Sequence, residues 1–307
     1  MQKPTIEANN VSKAYQGHKA LDGLSVQIPK GSIYGLLGPN GAGKTTFIRL
    51  LNQITAPDTG EILFDGEPLK PSDVHRIGYL PEERGLYKKM KVGEQAMYLA
   101  RLKGLSDSQA KAKLKYWFEK FEIGPWWNKK IEELSKGMAQ KIQFITTVLH
   151  DPELLIFDEP FSGFDPINTN LIKAEIQELR KNGATVIFST HRMESVEEIC
   201  DHIALINKSK KVLEGSVEQI RNDYRSHRYV ISGIPASDAM DLPPSMLLES
   251  TKTNKGQVSL TVKVDPEITT NQLLHTLLPQ MEIHDFKEEI PSVNDIFIQR
   301  VQGISQD

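Results

Sequence analysis

Five short, largely apolar runs punctuate the first two thirds of the chain, at residues 32–37, 77–81, 154–157, 185–189 and 202–206. Each is too short for a helix and lies beside or ends in turn formers such as Gly38, Pro81, Asp158, Gly183 or Asn207, so each reads as a buried strand. The last of the five closes the series, with Lys208-Ser209-Lys210 as a turn behind it. Elsewhere the pattern alternates. Residues 6–15 alternate in places between apolar and polar, as does Leu24-Ser25-Val26-Gln27-Ile28, which predicts antiparallel strands ahead of the first glycine loop, and Glu61-Ile62-Leu63-Phe64 reads as a further strand.

Helical spacing takes over at Phe47-Ile48-Arg49-Leu50-Leu51, through much of 92–150, and from about Asn168 to Lys181. Ser106-Asp107-Ser108-Gln109 is a capping-box signature, Ser135 is an N-cap candidate, and Asn182-Gly183 is a stop. The stretch from about 88 to 150 lacks strand signals and reads as a helical insert in an α/β domain. Trp126-Trp127 within it reads as packing, and Lys111, Lys113 and Lys115 as a solvated face.

Beyond Arg225 the character shifts. Residues 228–231, 257–264 and 283–286 read as strands, 270–278 as an amphipathic helix, and Ser292 caps a last helix through Val301. The expected organisation is a large domain over 1–224 and a small, mildly acidic α+β accessory domain over 225–307. The accessory part carries no glycine loop, metal cluster or nucleophile arrangement.

Composition narrows the functional class. A net charge of −3 gives no support for general nucleic-acid binding. One cysteine, Cys200, rules out an internal disulfide framework and fits a reducing cytosol. Met1 to Glu7 lacks the basic start and apolar core of a signal peptide, and no apolar run approaches a membrane span. Work at a membrane would therefore require a partner.

The chemistry sits at the ends of the buried runs. Gly38-Pro39-Asn40-Gly41-Ala42-Gly43-Lys44-Thr45-Thr46 joins a strand to a helix and reads G-x-x-x-x-G-K-T, the phosphate-binding P-loop. Its glycines let backbone N–H groups curl around phosphate oxygens, and the helix turns its positive end toward the same anion. Lys44 would reach the β- and γ-phosphates, and Thr45 would ligate magnesium. Leu154-Leu155-Ile156-Phe157 ends in Asp158-Glu159: one acid to hold the metal, the next to orient or deprotonate an attacking water. Thr190-His191 ends the following strand, where α/β sheets place ligand contacts; His191 reads either as a γ-phosphate sensor or as a structural donor. Tyr15 reads either as a base-stacking ring or as packing. Glu82-Glu83-Arg84-Gly85 reads as a loop on a functional face or as a solvated connection. Gly137, two residues beyond Ser135, would let a backbone N–H approach an anion.

Taken in order from Tyr15 to His191, these motifs resemble the ATP-binding subunit of an ABC transporter over about two thirds of the chain. The resemblance implies an ABC-type P-loop fold with an antiparallel subdomain and a helical insert. It implies ATP and Mg2+ as ligands, Tyr15 stacked on adenine, and Gly38 to Thr46 as the Walker A loop. It further implies Asp158 and Glu159 as the Walker B metal and catalytic residues, Ser162 to Asp165 as the D-loop, and His191 as the switch histidine. Ser135 and Gly137 stand in the signature loop, which serves ATP held by a second ATP-binding subunit, identical or different. The partner that spans the membrane would be a separate permease, with this subunit cytoplasmic and held to the inner face of the membrane. Two residues depart from the family pattern. Lys136 and Met138 make the signature Leu-Ser-Lys-Gly-Met instead of L-S-G-G-Q, and Glu82 stands where a magnesium-contacting glutamine is usual. Leu80 to Tyr87 and Pro291 to Phe297 resemble a bacterial branch that includes sodium- and drug-export cassettes. The alternatives are a soluble ABC-type ATPase acting on ribosomes or DNA, and a weakly hydrolysing regulatory module. A single P-loop and the short interval between Lys44 and Ser135 weigh against the first.

Overall fold

A computed structural model describes residues 3–82, 85–190, 193–237, 240–254 and 257–303. The chain divides into two units after Val217.

The first unit opens with two long strands, β1 (Pro4–Tyr15) and β2 (His18–Pro29), paired antiparallel. Next come β3 (Ile33–Leu37), α1 (Lys44–Leu51), β4 (Thr59–Phe64), β5 (Glu67–Pro68) and β6 (Ile77–Leu80). β4 returns to β1, giving an antiparallel sheet of order β2-β1-β4-β5. Three helices follow, α2 (Val92–Leu102), α3 (Asp107–Lys120) and α4 (Lys136–Val148). The expected capping box at Ser106 and the cap at Ser135 are both formed. Trp127 packs edge-on against Phe118, and a β-carbon on Gly93 would stand 2.3 Å from its ring, so Trp127 serves packing.

The chain then re-enters the sheet through β7 (Leu154–Asp158), α5 (Pro166–Lys181), β8 (Thr185–Ser189), α6 (Met193–Ile199) and β9 (His202–Asn207). α5 starts two residues earlier than expected. Asp165 accepts from Asn168 N at 2.9 Å as its N-cap, and Pro166 occupies the first position, where a missing N–H costs nothing. The sheet does not end at residue 206. A further strand, β10 (Lys210–Ser216), pairs antiparallel with β9 and forms the edge of a six-stranded sheet of order β10-β9-β3-β8-β7-β6. Its residues are exposed or only half-buried, and its apolar pair, Val212-Leu213, is too short to give a buried-strand signal. The other five strands run parallel, and β3, β7 and β8 are buried at every position. The carboxyl ends of β3, β7 and β8 therefore lie side by side, which is where such sheets carry ligand sites.

α7 (Val217–Asp223) leads into the second unit, where its Arg221 donates to the Pro291 carbonyl at 3.2 Å. There β11 (Arg228–Pro235), β12 (Met246–Asn254), β13 (Gln257–Val264) and β14 (Met281–Glu288) form an antiparallel sheet of order β12-β13-β11-β14. α8 (Thr270–Leu277) covers one face through Leu273 and Leu277, which join Ile231, Leu260 and Val262 in a separate core. α9 (Val293–Gly303) closes the unit. β12 was not expected; it is exposed at every position after Met246 and is defined by its pairing with β13.

Candidate functional site

The P-loop turns between β3 and α1. Gly38 and Gly43 hold φ of 148° and 116°. A β-carbon at Gly38 would stand 2.1 Å from the Ile206 carbonyl, and one at Gly43 would stand 2.4 Å from that of Ala20. Glycine is thus required at both places by conformation and by space. No side chain caps the start of α1 and no acid sits in its first turn, so its leading N–H groups are left for an anion. Lys44 Nζ donates to the carbonyls of Gly38 at 2.7 Å and Pro39 at 3.1 Å, folding the side chain over the loop. Thr45 is exposed in the first helical turn beside it, while Asn40 and Gly41 line the open side of the loop.

Charge converges on this loop. Burial lowers the Lys44 pKa, opposed by the nearby carboxylates of Glu159, Asp158 and Glu82. Asp158, the last residue of β7, is buried, and burial raises its pKa; Glu82 and Glu159 push the same way, against the Ser189 hydroxyl and Lys44. Ser189 stands opposite Asp158 in the β7–β8 register and donates its hydroxyl proton to the Asp158 carboxylate. Glu159 adopts φ 50°, a left-handed conformation uncommon for a side chain of this kind, and its N–H donates to the Ser189 carbonyl at 3.0 Å. Thr190 Oγ1 donates to Glu159 Oε2 at 3.2 Å. Glu82 is exposed just past β6. Lys44, Glu82, Asp158 and Glu159 therefore form one electrostatic cluster. His191 lies outside the described residues.

The donors suit magnesium. Two carboxylates, Asp158 and Glu82, and the Thr45 hydroxyl are hard oxygen ligands. Among the described residues, no three His, Cys, Asp or Glu side chains are grouped as a metal cage. Mg2+ takes one or two carboxylates and completes its shell with phosphate oxygens and water, so this sparse set fits it.

Tyr15 ends β1, 39% exposed, with the Lys13 ammonium 5.7 Å from its ring centre. The hairpin that carries it is fastened to the P-loop by Ser209, a residue passed over in the sequence as part of a turn. Ser209 N donates to the Ala42 carbonyl at 3.2 Å, its hydroxyl donates to the Lys19 carbonyl at 2.6 Å, and its carbonyl accepts from Asp22 N at 2.9 Å. Asn40, His18 and Lys208 border an open hollow of about 390 Å3 between hairpin and loop.

Ser135 and Gly137 are not gathered into this cluster. Ser135 Oγ accepts from Met138 N at 3.2 Å and caps α4. Gly137 faces the turn that follows Glu159: a β-carbon there would lie 3.7 Å from the Gly163 carbonyl. Among the described residues, Ser135 makes no hydrogen bond to the P-loop. Two buried contacts of α4 were likewise not foreseen. Gln140 Nε2 donates to the Pro160 carbonyl and Gln143 Nε2 to the Pro81 carbonyl, each at 3.3 Å, next to Glu159 and Glu82 respectively.

Comparison with known proteins shows the family. Residues 21–162 match a family model described as "ABC transporter", and residues 215–301 match "ATP-binding protein DrrA1-3-like, C-terminal domain". The chain is similar to the ABC transporter ATP-binding protein YhaQ of Bacillus subtilis, 41% identical over 301 residues, covering 97% of this chain and 99% of that protein. It is also similar to the Nod factor export ATP-binding protein I of Cupriavidus metallidurans, 33% identical over 218 residues, covering 70% of this chain and 72% of that one. Among solved structures, an ATP-binding subunit of an ABC transporter superposes with a TM-score of 0.67 at 27% identity, over 72% of this chain and 93% of its own.

Proposed function

This chain belongs to the ATP-binding proteins of ABC transporters and is an ATPase subunit of that class, and we propose that it powers an exporter by closing as a dimer around Mg-ATP. The observation that carries the mechanism is the cluster of Lys44, Glu82, Asp158 and Glu159 at the P-loop. Lys44 exchanges the carbonyls of Gly38 and Pro39 for phosphate oxygens when a nucleotide enters. The leading N–H groups of α1 cradle the same phosphates. Asp158, aligned by Ser189, and Thr45 would hold a magnesium ion, with Glu82 as a further oxygen ligand, and the ion would neutralise phosphate charge. Glu159, braced by Thr190, accepts a proton from the attacking water, and His191 contacts the γ-phosphate. Tyr15 stacks on the adenine.

Ser135 and Gly137 are outside the P-loop cluster, and this supports a site completed by a second copy or a related subunit. Among the described residues, no helix is long and apolar enough to cross a membrane, which supports a separate permease and a peripheral place on its cytoplasmic side. Ile54, Leu86, Leu99 and Leu102 border an apolar groove beside Pro81, with Ile54 61% and Leu102 54% exposed. That groove adjoins Glu82 and offers the permease a seat from which nucleotide occupancy is felt. The export direction is drawn from the relative named for Nod factor export.

Changing Glu159→Gln tests the reading. ATP should still bind while steady-state hydrolysis collapses by roughly a hundredfold or more. Near-normal turnover would remove Glu159 from its role. Isolation of the protein from native membranes should bring a permease with it, and recovery only with ribosomes or DNA would sink the transporter reading.

A further inference from the structure

Lys136 stands at the third position of the signature, where the family pattern has glycine, and none of the steps above uses it. It is the first residue of α4, exposed, and in no ion pair among the described residues. A cation at the positive end of a helix is mildly unfavourable, so the residue does not serve helix stability. Its alkyl stem, however, has a definite resting place. A β-carbon added to Gly163 would stand 2.4 Å from Lys136 Cε, 2.7 Å from Cδ and 2.9 Å from Cγ, so the stem lies flat across Gly163. Gly163 holds φ 90°, a conformation that favours glycine, and the missing β-carbon leaves the stem room to rest there.

Gly163 is four residues beyond Glu159, and the segment between them is tightly turned. Ser162 N donates to the Glu159 carbonyl at 3.0 Å, and Phe161 is buried against Phe188 with ring centres 5.2 Å apart. α4 grips this segment twice, through the Gln140 amide on the Pro160 carbonyl and the Lys136 stem on Gly163. A glutamate held at φ 50° keeps that conformation only when its surroundings over-determine it. We infer that Lys136 is a positioning residue for Glu159: its stem straps the loop after Glu159 to the signature helix. The strap also makes Ser135, which serves the partner's nucleotide, and Glu159, which serves the chain's own, parts of one rigid unit.

The inference rests on the ATPase reading of Glu159, and the test separates the two. Purified wild type, Lys136→Ala, Lys136→Gly and Lys136→Met are compared for kcat, KM for ATP and melting temperature, with Glu159→Gln as the reference for lost chemistry. Ala and Gly should lower kcat about tenfold while KM and melting temperature stay near wild type, because the loop is loosened without loss of a nucleotide contact. Methionine keeps an unbranched stem without the charge, and should restore kcat to within about twofold of wild type. Wild-type turnover in Lys136→Ala would overturn the inference. So would a loss in Lys136→Met as large as in Lys136→Ala, which would make the ammonium the working part. A wild-type protein whose turnover is unaffected by Glu159→Gln would instead overturn the ATPase reading beneath it.

Discussion

The Ser189 hydroxyl donates to the Asp158 carboxylate across the ends of two buried parallel strands. Asp158 is the one carboxylate of the P-loop cluster that is buried, and this bond and Lys44 are what oppose the pull of burial toward its neutral form. In Ser189→Ala the carboxylate loses its aligned donor, and its pKa rises further. A raised carboxyl pKa means that the charged form is lost at a higher pH as the medium is acidified. The acid limb of the ATPase pH profile should therefore move upward, and the Mg2+ concentration for half-maximal rate should rise about tenfold. Titrating ATPase activity against pH and Mg2+ in the two proteins checks both.

Ser209 is the pin between the Tyr15 hairpin and the P-loop. Ser209→Ala keeps the backbone contacts and removes the hydroxyl bond to Lys19. The hairpin should be held less firmly beside the loop, raising KM for ATP about three- to tenfold with kcat little changed, the equivalent of one neutral hydrogen bond. Steady-state kinetics over a range of ATP concentrations measures the split.

Arg76 ties the antiparallel subdomain to the parallel sheet. It binds Glu153 through two bonds of 2.8 and 2.7 Å, pairs with Asp65, and lies 4.1 Å from the Phe64 ring centre. Arg76→Ala should cost about 1–2 kcal/mol, chiefly through the lost packing on Phe64 and the charge-assisted bonds. Arg76 holds the Glu153 pKa below 4.5, so this contribution is present above that value and fades as pH falls through the folded-state pKa. Melting curves of the two proteins should therefore converge in acid and stay apart at neutral pH.

Much of this site can be read directly from residue order. Gly38 to Thr46 announces itself because a P-loop needs its glycines and lysine at fixed spacing, and Asp158-Glu159 because carboxylates are conspicuous at the end of a wholly apolar run. Ser189, Ser209 and Gln140 were not legible. Their roles arise from strand register or from contacts between segments distant in the sequence, and a serine in a strand or a turn looks alike whether or not it is bonded. The missed strands share one physical cause. Lys210–Ser216 and Met246–Asn254 are edges with exposed or half-exposed side chains, so ladder pairing rather than burial defines them.

The central claim is that Lys44 of one chain and Ser135 of another make one working site. Mixing two disabled variants tests it directly. Lys44→Ala lacks the phosphate lysine and Ser135→Arg lacks the serine supplied to the partner, so each alone should be inactive. In an equimolar mixture, half of the dimers would carry one intact site, and activity should return to roughly a quarter of wild type. A Ser135→Arg protein that hydrolyses ATP at the wild-type rate by itself would contradict the account, and a mixture as inactive as its components would contradict pairing between two copies of this chain.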